Sequence, residues 1–135
     1  MKKVLAVIAI VLAFSISSTA FADDKYKISA PAVYVKKGVK TTAFVTFTSA
    51  GGFRINIEYP FKIALTADSG VQLEKTTLLK TDATEWKKEV VKFPIVFTAT
   101  QTGRKLILGQ AKFAVATDND NVPQVVTVAI NVFVN

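Results

Sequence analysis

The stretch that decides the fold is 113-FAVATDNDNVPQVVTVAINV-132, in which two runs of alternating apolar residues flank the polar tetrapeptide 118-DNDN-121. Alternation with a period of two places one set of side chains on each face of a β-strand. Asn and Asp are common in tight turns because their side chains bond nearby backbone groups. The stretch therefore predicts two antiparallel strands joined by a hairpin turn.

The same alternation recurs along the chain after residue 22, in segments rich in β-branched and aromatic residues. In Thr41–Thr48, for example, Ala43, Val45 and Phe47 share one face. The predicted strands are Lys27–Val35, Thr41–Thr48, Phe53–Tyr59, Phe61–Ala67, Val71–Lys75, Lys88–Thr98, Lys105–Ala116 and Val122–Val134. Seven to eight short strands separated by turn residues predict an all-β, immunoglobulin-like β-sandwich.

Two prolines and one aperiodic segment refine this prediction. Proline has no N–H to donate to a neighbouring strand, so it favours edge strands and bulges. Pro31 and Pro94 therefore predict that Lys27–Val35 and Lys88–Thr98 lie at an edge or carry a bulge. The segment Thr76–Trp86 has the weakest period and is predicted to be a loop with one helical turn.

The N-terminus has the pattern of a secretory signal peptide. Lys2 and Lys3 precede the apolar run Val4–Phe14, and Ala20-Phe21-Ala22 has the small–x–small form of a cleavage site. The apolar run is shorter than the roughly 20 residues that a membrane span needs. We therefore expect residues 1–22 to be removed, leaving a single domain of residues 23–135 in the periplasm or outside the cell, with no transmembrane segment.

Composition excludes several kinds of chemistry. The chain has no Cys and no His, which rules out redox dithiols, Cys–His and Ser–His nucleophile pairs and His-bound zinc. Its net charge is +7, or +5 once Lys2 and Lys3 are removed, but the lysines are scattered and are expected to solvate sheet surfaces. The composition predicts a protein that is not an enzyme, has no cofactor and does not bind nucleic acid.

Polar residues alternate in 54-RINIE-58. As part of a strand, Arg54, Asn56 and Glu58 would project from one face, where they could grip a ligand or form an intramolecular network over the sheet. The network is the commoner arrangement. Tyr59-Pro60 ends the segment, because proline restricts the residue that precedes it.

The tetrapeptide 118-DNDN-121 also offers oxygen ligands for calcium. The EF-hand pattern fails, however, because Val122 and Pro123 stand where Asn or Asp and Gly belong. Asp118 and Asp120 are therefore weak metal candidates, and a simple turn is favoured.

Trp86 lies between charged residues in 84-TEWKK-88. An exposed Trp could stack on a sugar together with Tyr59, whereas a Trp folded onto one end of the core would act as a lid. The lid is the commoner arrangement.

Two segments resemble a known family. Gly52–Pro60 (GFRINIEYP) resembles the G-[YF]-H-x-N-x-x-Y-P segment of periplasmic domains such as the N-terminal domain of the thiol:disulfide interchange protein DsbD. Phe113–Pro123 (FAVATDNDNVP) is similar to the family's F-x-V-C-x-x-x-x-C-x-P segment. The resemblance covers most of residues 25–134 and implies an immunoglobulin-like fold.

The departures from the family pattern concern its chemistry. Ala116 and Asn121 stand where the family has its redox cysteine pair, and Arg54 stands where it often has His. Electron transfer needs two sulfurs, so the resemblance implies at most the shape that docks a protein partner.

The leading hypothesis is therefore an exported, non-catalytic domain that binds an envelope or extracellular protein. The predicted partner-binding residues are Arg54, Asn56, Tyr59, Ala116, Asp118, Asp120 and Asn121. Alternatives are a calcium- or glycan-binding module and a self-assembling surface protein that pairs through its edge strands. The sequence leaves the oligomeric state open.

Overall fold

The computed structural model describes residues 18–135, and side chains from residue 23 onward. The basic and apolar parts of the predicted leader lie outside the described residues, whereas its last five residues form a strand. The strands are β1 (Ser18–Ala22), β2 (Tyr26–Pro31), β3 (Val33–Val35), β4 (Lys40–Ser49), β5 (Arg54–Ile55), β6 (Lys62–Ala67), β7 (Val71–Leu73), β8 (Thr77–Leu78), β9 (Glu85–Trp86), β10 (Val90–Ala99), β11 (Gly103–Ala116) and β12 (Asn121–Val134). No helix within residues 18–135 is long and apolar enough to cross a membrane.

The strands form two sheets. The first has the order β1-β2-β4-β10-β7, with β9 also paired to β10, and the second has the order β3-β12-β11-β6-β8, with β5 also paired to β11. All pairs are antiparallel except β3–β12, which is parallel. The chain passes from the first sheet to the second at Pro31-Ala32, between β2 and β3. This arrangement confirms the predicted all-β, immunoglobulin-like sandwich.

Aromatic side chains fill the core near one end of the sandwich. Phe47 lies edge-on to Phe61 and Phe113, with ring centroids 5.0 and 5.2 Å apart, and Phe61 stacks on Phe113 at 5.2 Å. Phe93 adds a further ring 5.1 Å from Phe61. These four rings are buried, and edge-on and offset arrangements add to the stabilisation that burial supplies.

The strands with the clearest alternation lie where the sequence predicts them. In β4 the residues Ala43, Val45 and Phe47 are buried, and β12 buries its predicted face from Val128 to Val134. The predicted strand Lys27–Val35 is instead divided, because Pro31 ends β2 and Val33–Val35 forms β3 in the second sheet. The predicted loop of Thr76–Trp86 contains one turn of 3-10 helix, Lys80–Asp82, and the two-residue strands β8 and β9.

The predicted strand Phe53–Tyr59 is wrong beyond its first residues. Only Arg54–Ile55 pairs as a strand, and the chain then turns. The Asn56 side chain causes this, because its Oδ1 accepts the Glu58 N–H at 3.0 Å while its carbonyl accepts the Tyr59 N–H at 3.2 Å. A side chain that bonds nearby backbone competes with the strand ladder, and here it prevails.

The prediction that Lys88–Thr98 lies at an edge or carries a bulge is also wrong, since β10 pairs with β4 residue for residue from Val90 to Thr98. β10 lies inside its sheet, with β4 along one side and β9 and β7 along the other. Pro94 is tolerated inside the sheet because it lies between the part of β10 that pairs with β9 and the part that pairs with β7. This side of the strand is therefore locally unpaired. The carbonyls two residues to either side, of Lys92 and Val96, accept bonds from Thr84 and Glu74, so the missing N–H of Pro94 faces this unpaired stretch.

Candidate recognition site at the hairpin end

The β11–β12 hairpin and the segment after β4 meet at one end of the sandwich. β5 pairs with the end of β11, with Arg54 opposite Ala116 and Ile55 opposite Val115. Ile55 is buried and its N–H donates to the Lys88 carbonyl at 2.9 Å. We call residues 54–58 and 116–121 together the hairpin junction.

Arg54 reaches across the junction to the hairpin turn. Its Nη1 lies 3.2 Å from Asp118 Oδ1, and its Nη2 donates to the Thr117 carbonyl at 3.3 Å. The Arg54 side chain is 42% exposed and that of Asp118 is 95% exposed, so the ion pair stands in solvent. An exposed pair contributes little to stability, but the second bond to Thr117 fixes the direction of the guanidinium.

A second bond between side chains crosses the junction. Asn56 Nδ2 donates to Asn121 Oδ1 at 2.8 Å, and the Asn56 N–H donates to the Ala114 carbonyl at 2.9 Å. Together with the Glu58 N–H on its Oδ1, Asn56 is held from three directions. The intramolecular network expected of Arg54 and Asn56 is thus present, and it joins two segments that lie more than sixty residues apart.

The hairpin turn, Thr117–Asp120, is held by its own backbone and by one hydroxyl. The Thr117 N–H donates to the Asp120 carbonyl at 2.9 Å, and Thr117 Oγ1 accepts the N–H groups of Asn119 and Asp120 at 3.3 and 3.1 Å. The predicted turn is confirmed. Thr117 is a residue that the sequence reasoning missed, although a Thr before a polar turn is a recognised signal for this bonding pattern.

The weak metal candidates do not come together as a metal site. Among the described residues, no group of three or more His, Cys, Asp or Glu side chains is placed to hold an ion. Asp118 is moreover paired with a guanidinium, which would repel a cation.

Ala116 and Asn121 lie directly opposite each other in the hairpin register. Thr117 and Asp120 form the last hydrogen-bonded pair, so the pair before it is non-hydrogen-bonded, the type in which Cα atoms approach to about 4.5 Å. The Ala116 side chain is 5% exposed. Of the predicted partner-binding residues, Ala116 therefore shapes the site from below and offers no side-chain surface to a partner.

Tyr59 borders the junction, since its N–H donates to the Asn56 carbonyl, but its side chain lines a different depression. It lines a second depression with Pro60, Lys80 and Trp86, whereas Arg54, Asn56 and Lys88 line the depression at the junction. Lys88 is a second residue that sequence reasoning did not identify, because nothing in its local pattern places it beside Arg54.

Trp86 is a lid over the aromatic core, which is the arrangement that the sequence analysis favoured over an exposed ring. Its ring packs edge-on against Phe61 and Phe93, with centroids 5.8 and 6.5 Å apart. The Lys80 ammonium lies over the outer face of the ring, 5.6 Å from the centroid. The indole is half-buried, so the face turned to solvent is partly occupied by a cation.

Comparison with known proteins finds solved structures with a similar path of the chain but identifies no family. No family model and no curated protein matches the chain. Among solved structures, AggA, the major subunit of aggregative adherence fimbriae type I from Escherichia coli, is similar with a TM-score of 0.41 and 9% identity over 87% of this chain and 95% of that one. A PapD-like domain of human CEP192 has a TM-score of 0.47 and 8% identity over 93% and 98%.

A third similar structure is the S-layer protein SbsC, domains 4 and 5. It has a TM-score of 0.40 and 15% identity over 86% of this chain, which spans about half of that one (53%).

Proposed function

We propose that this chain is an exported, non-catalytic binding domain that docks an envelope or extracellular protein through the hairpin junction. The observation that carries the proposal is that the exposed polar groups of the junction are held in fixed directions. Arg54 is fixed by Asp118 and Thr117, and Asn56 by Asn121 and its own turn. Groups that are already oriented lose less entropy when they bind a partner.

The charge pattern of the junction indicates the kind of partner. A guanidinium, an ammonium and two carboxylates stand close together, from Arg54, Lys88, Glu58 and Asp118. Surfaces of mixed sign are suited to a protein surface of complementary pattern, which gives specificity and a faster encounter.

The resemblance to DsbD-like domains supports the same proposal. In that resemblance the redox cysteines correspond to Ala116 and Asn121, which face each other across the hairpin. A relative that lacks both sulfurs has no electron-transfer chemistry and can keep at most the docking shape. We propose that this chain is such a redox-silent relative.

The test is charge reversal at the junction with a matched control elsewhere. Asp118→Lys breaks an exposed ion pair at the junction, and Glu74→Lys breaks the exposed Lys40–Glu74 pair (3.0 Å), which lies outside it. Partners are captured by cross-linking in intact cells and quantified by mass spectrometry. We expect Asp118→Lys to lose its main partner by about tenfold and Glu74→Lys to keep it.

The two variants should unfold at similar denaturant concentrations, because exposed ion pairs contribute at most about 1 kcal/mol. Unchanged partners for a folded Asp118→Lys protein would exclude the junction as the docking surface.

A glycan is a second candidate ligand, favoured by the depression that Tyr59 and Trp86 share with Lys80 and Glu58. Tyr and Trp rings combine an apolar face with a polar group, which suits them to stack on a sugar. A glycan array read with wild-type and Trp86→Leu proteins tests it, and an array without binding of the wild type would remove it.

A further inference from the structure

Strand β1 covers one edge of the first sheet. It pairs antiparallel with β2 over five residues, from Ser18 opposite Pro31 to Ala22 opposite Lys27. On its other side, β2 pairs with β4 only from Tyr26 to Ser29. Within the described residues, Ala30 and Pro31 therefore have β1 as their strand partner.

The covering strand belongs to the segment that we expect signal cleavage to remove. Cleavage after Ala22 would take away all five residues of β1 and none of β2. This step rests on the export that the proposed function includes.

The start of β2 is anchored independently of β1. β2 pairs with β4 from Tyr26 to Ser29, and the Ala50 N–H donates to the Lys25 carbonyl at 3.1 Å. At Gly51, where φ is +63°, an added Cβ would lie 2.0 Å from the Asp24 carbonyl oxygen, so the two backbones are in close contact. Loss of residues 18–22 therefore leaves β2 in place with a bare outer edge.

This edge borders the hydrophobic core. Ile28 is 2% exposed and Ala30 is 0% exposed, with β1 in place. Residues opposite each other in an antiparallel pair share a face, so a strand that replaces β1 also presents side chains to the core opposite Ile28 and Ala30. Nearby, the Tyr26 hydroxyl donates to Gln124 Oε1 at 3.2 Å and links β2 to β12 of the other sheet.

We propose that processing converts the outer edge of β2 into an acceptor for an extended segment of the partner protein, which adds a strand where β1 lay. An uncovered edge presents unpaired N–H and C=O groups, and strand addition satisfies them. The edge begins beside Ala50 and Gly51, close to the hairpin junction, so one partner can contact both surfaces.

The register of β1 defines the chemistry of the partner segment. It runs antiparallel to β2, spans at least five residues and has uncharged residues opposite Ile28 and Ala30, because an unpaired charge there would be buried. Opposite the exposed Lys27 an acidic residue is favoured, since opposite charges across a strand pair attract.

A second copy of this chain fits the edge less well. If β2 paired with β2 of another copy about a two-fold axis, both Lys27 side chains would lie on the same face of a six-residue strand pair. The two ammonium groups would repel each other across the strand pair, and no acidic residue of β2 would offset this repulsion.

The experiment uses the protein as it is exported. The full chain is expressed with its leader and purified from the envelope, its N-terminal residue is determined by mass spectrometry, and a synthetic peptide of residues 16–22 (ISSTAFA) serves as the probe. We expect the N-terminus to be Asp23. We also expect the peptide to slow amide exchange in residues 26–30 by about tenfold or more at saturation, with little change in β7.

Two control peptides carry Thr19→Pro and Ala20→Pro. Neighbouring residues of a strand direct their N–H groups to opposite sides, so one of the two prolines removes a bond to β2, and that peptide should bind at least tenfold more weakly. An N-terminus that retains residues 18–22, equal binding of all three peptides, no protection of β2, or a strict dimer with β2 already protected would each overturn the proposal. None of these outcomes depends on Asp118→Lys, so the docking surface and the strand acceptor fail separately.

Discussion

The aromatic core and the hairpin junction lie next to each other on β11, yet they are held by different forces. Phe113 is buried against rings from three other segments, those of Tyr26, Phe47 and Phe61, whereas Ala116, three residues later, lies under a network of exposed charges and amides. Burial of apolar area stabilises the fold, and the bonds of the junction mainly fix direction. The comparison shows that a single strand, β11, can contribute both to the packed core and to the surface that this core holds in position.

The largest effect is expected from the core side of this comparison. Phe113→Ala should lower the free energy of unfolding by about 3–5 kcal/mol, since it removes a buried ring and leaves a cavity. Phe44→Ala is the matched control, because Phe44 is 37% exposed on the outer face beneath Lys92, and it should cost about 1 kcal/mol or less. Urea denaturation followed by Trp86 fluorescence measures both. Equal losses for the two variants would contradict this picture of the core.

An intermediate effect is expected from a disulfide built into the junction. Ala116→Cys with Asn121→Cys places two sulfurs on a non-hydrogen-bonded pair, whose Cα separation lies within the range that a disulfide requires. We expect the bond to form in air and to raise the free energy of unfolding by about 2 kcal/mol relative to the reduced protein, because the loop that it closes is short.

Thiol titration and denaturation with and without reductant measure this effect. A double variant that stays reduced in air would show that positions 116 and 121 are not suited to a cysteine pair, and would weaken the proposed relation to DsbD-like domains.

The smallest effect concerns Asp82, the last residue of the 3-10 turn Lys80–Asp82. The hydrogen bond from the Lys75 ammonium and then the Leu79 N–H hold the pKa of Asp82 below its ordinary value of 3.8. Because the folded-state pKa is lowered, the stabilisation is present above pH 3.8 and disappears as the pH falls through the lower folded-state value.

The free energy of unfolding of Asp82→Asn should therefore be lower than that of wild type at neutral pH, by about 1 kcal/mol or less. At the lowest pH of the series the two proteins should be equally stable. Asp120→Asn, in the exposed hairpin turn, is the control. Thermal unfolding between pH 2 and 7 measures the difference, and a difference that is independent of pH would contradict the role given to the Lys75–Asp82 pair.

The sequence was sufficient to predict the strands whose two faces differ in polarity. In β4 and β12 the alternation of apolar residues predicts which face of the strand is buried. Several strands of this kind predict a sandwich. Alternation does not state which strands are neighbours. The position of β10 inside its sheet was missed for that reason, since the gap that accommodates Pro94 is made by Thr84 and Glu74 in other segments.

The candidate site was predicted in its composition but not in its connections. The residues Arg54, Asn56, Asp118 and Asn121 are indeed together, and the turn was identified from its Asn and Asp content. Two features remained hidden. The Asn56 side chain ends the strand that its neighbours favour, and Tyr59 thereby points to a different depression.

The positions of Asp24 and Asn135 have a mechanical consequence. Asp24 lies against Gly51 at the hairpin end, and the Asn135 backbone is bonded to Val35 and Lys37 at the opposite end. A pull between these two residues would run along the strands, so β12 would have to slide past β11 and break the bonds of a fourteen-residue pairing together. A domain loaded in this direction resists in shear.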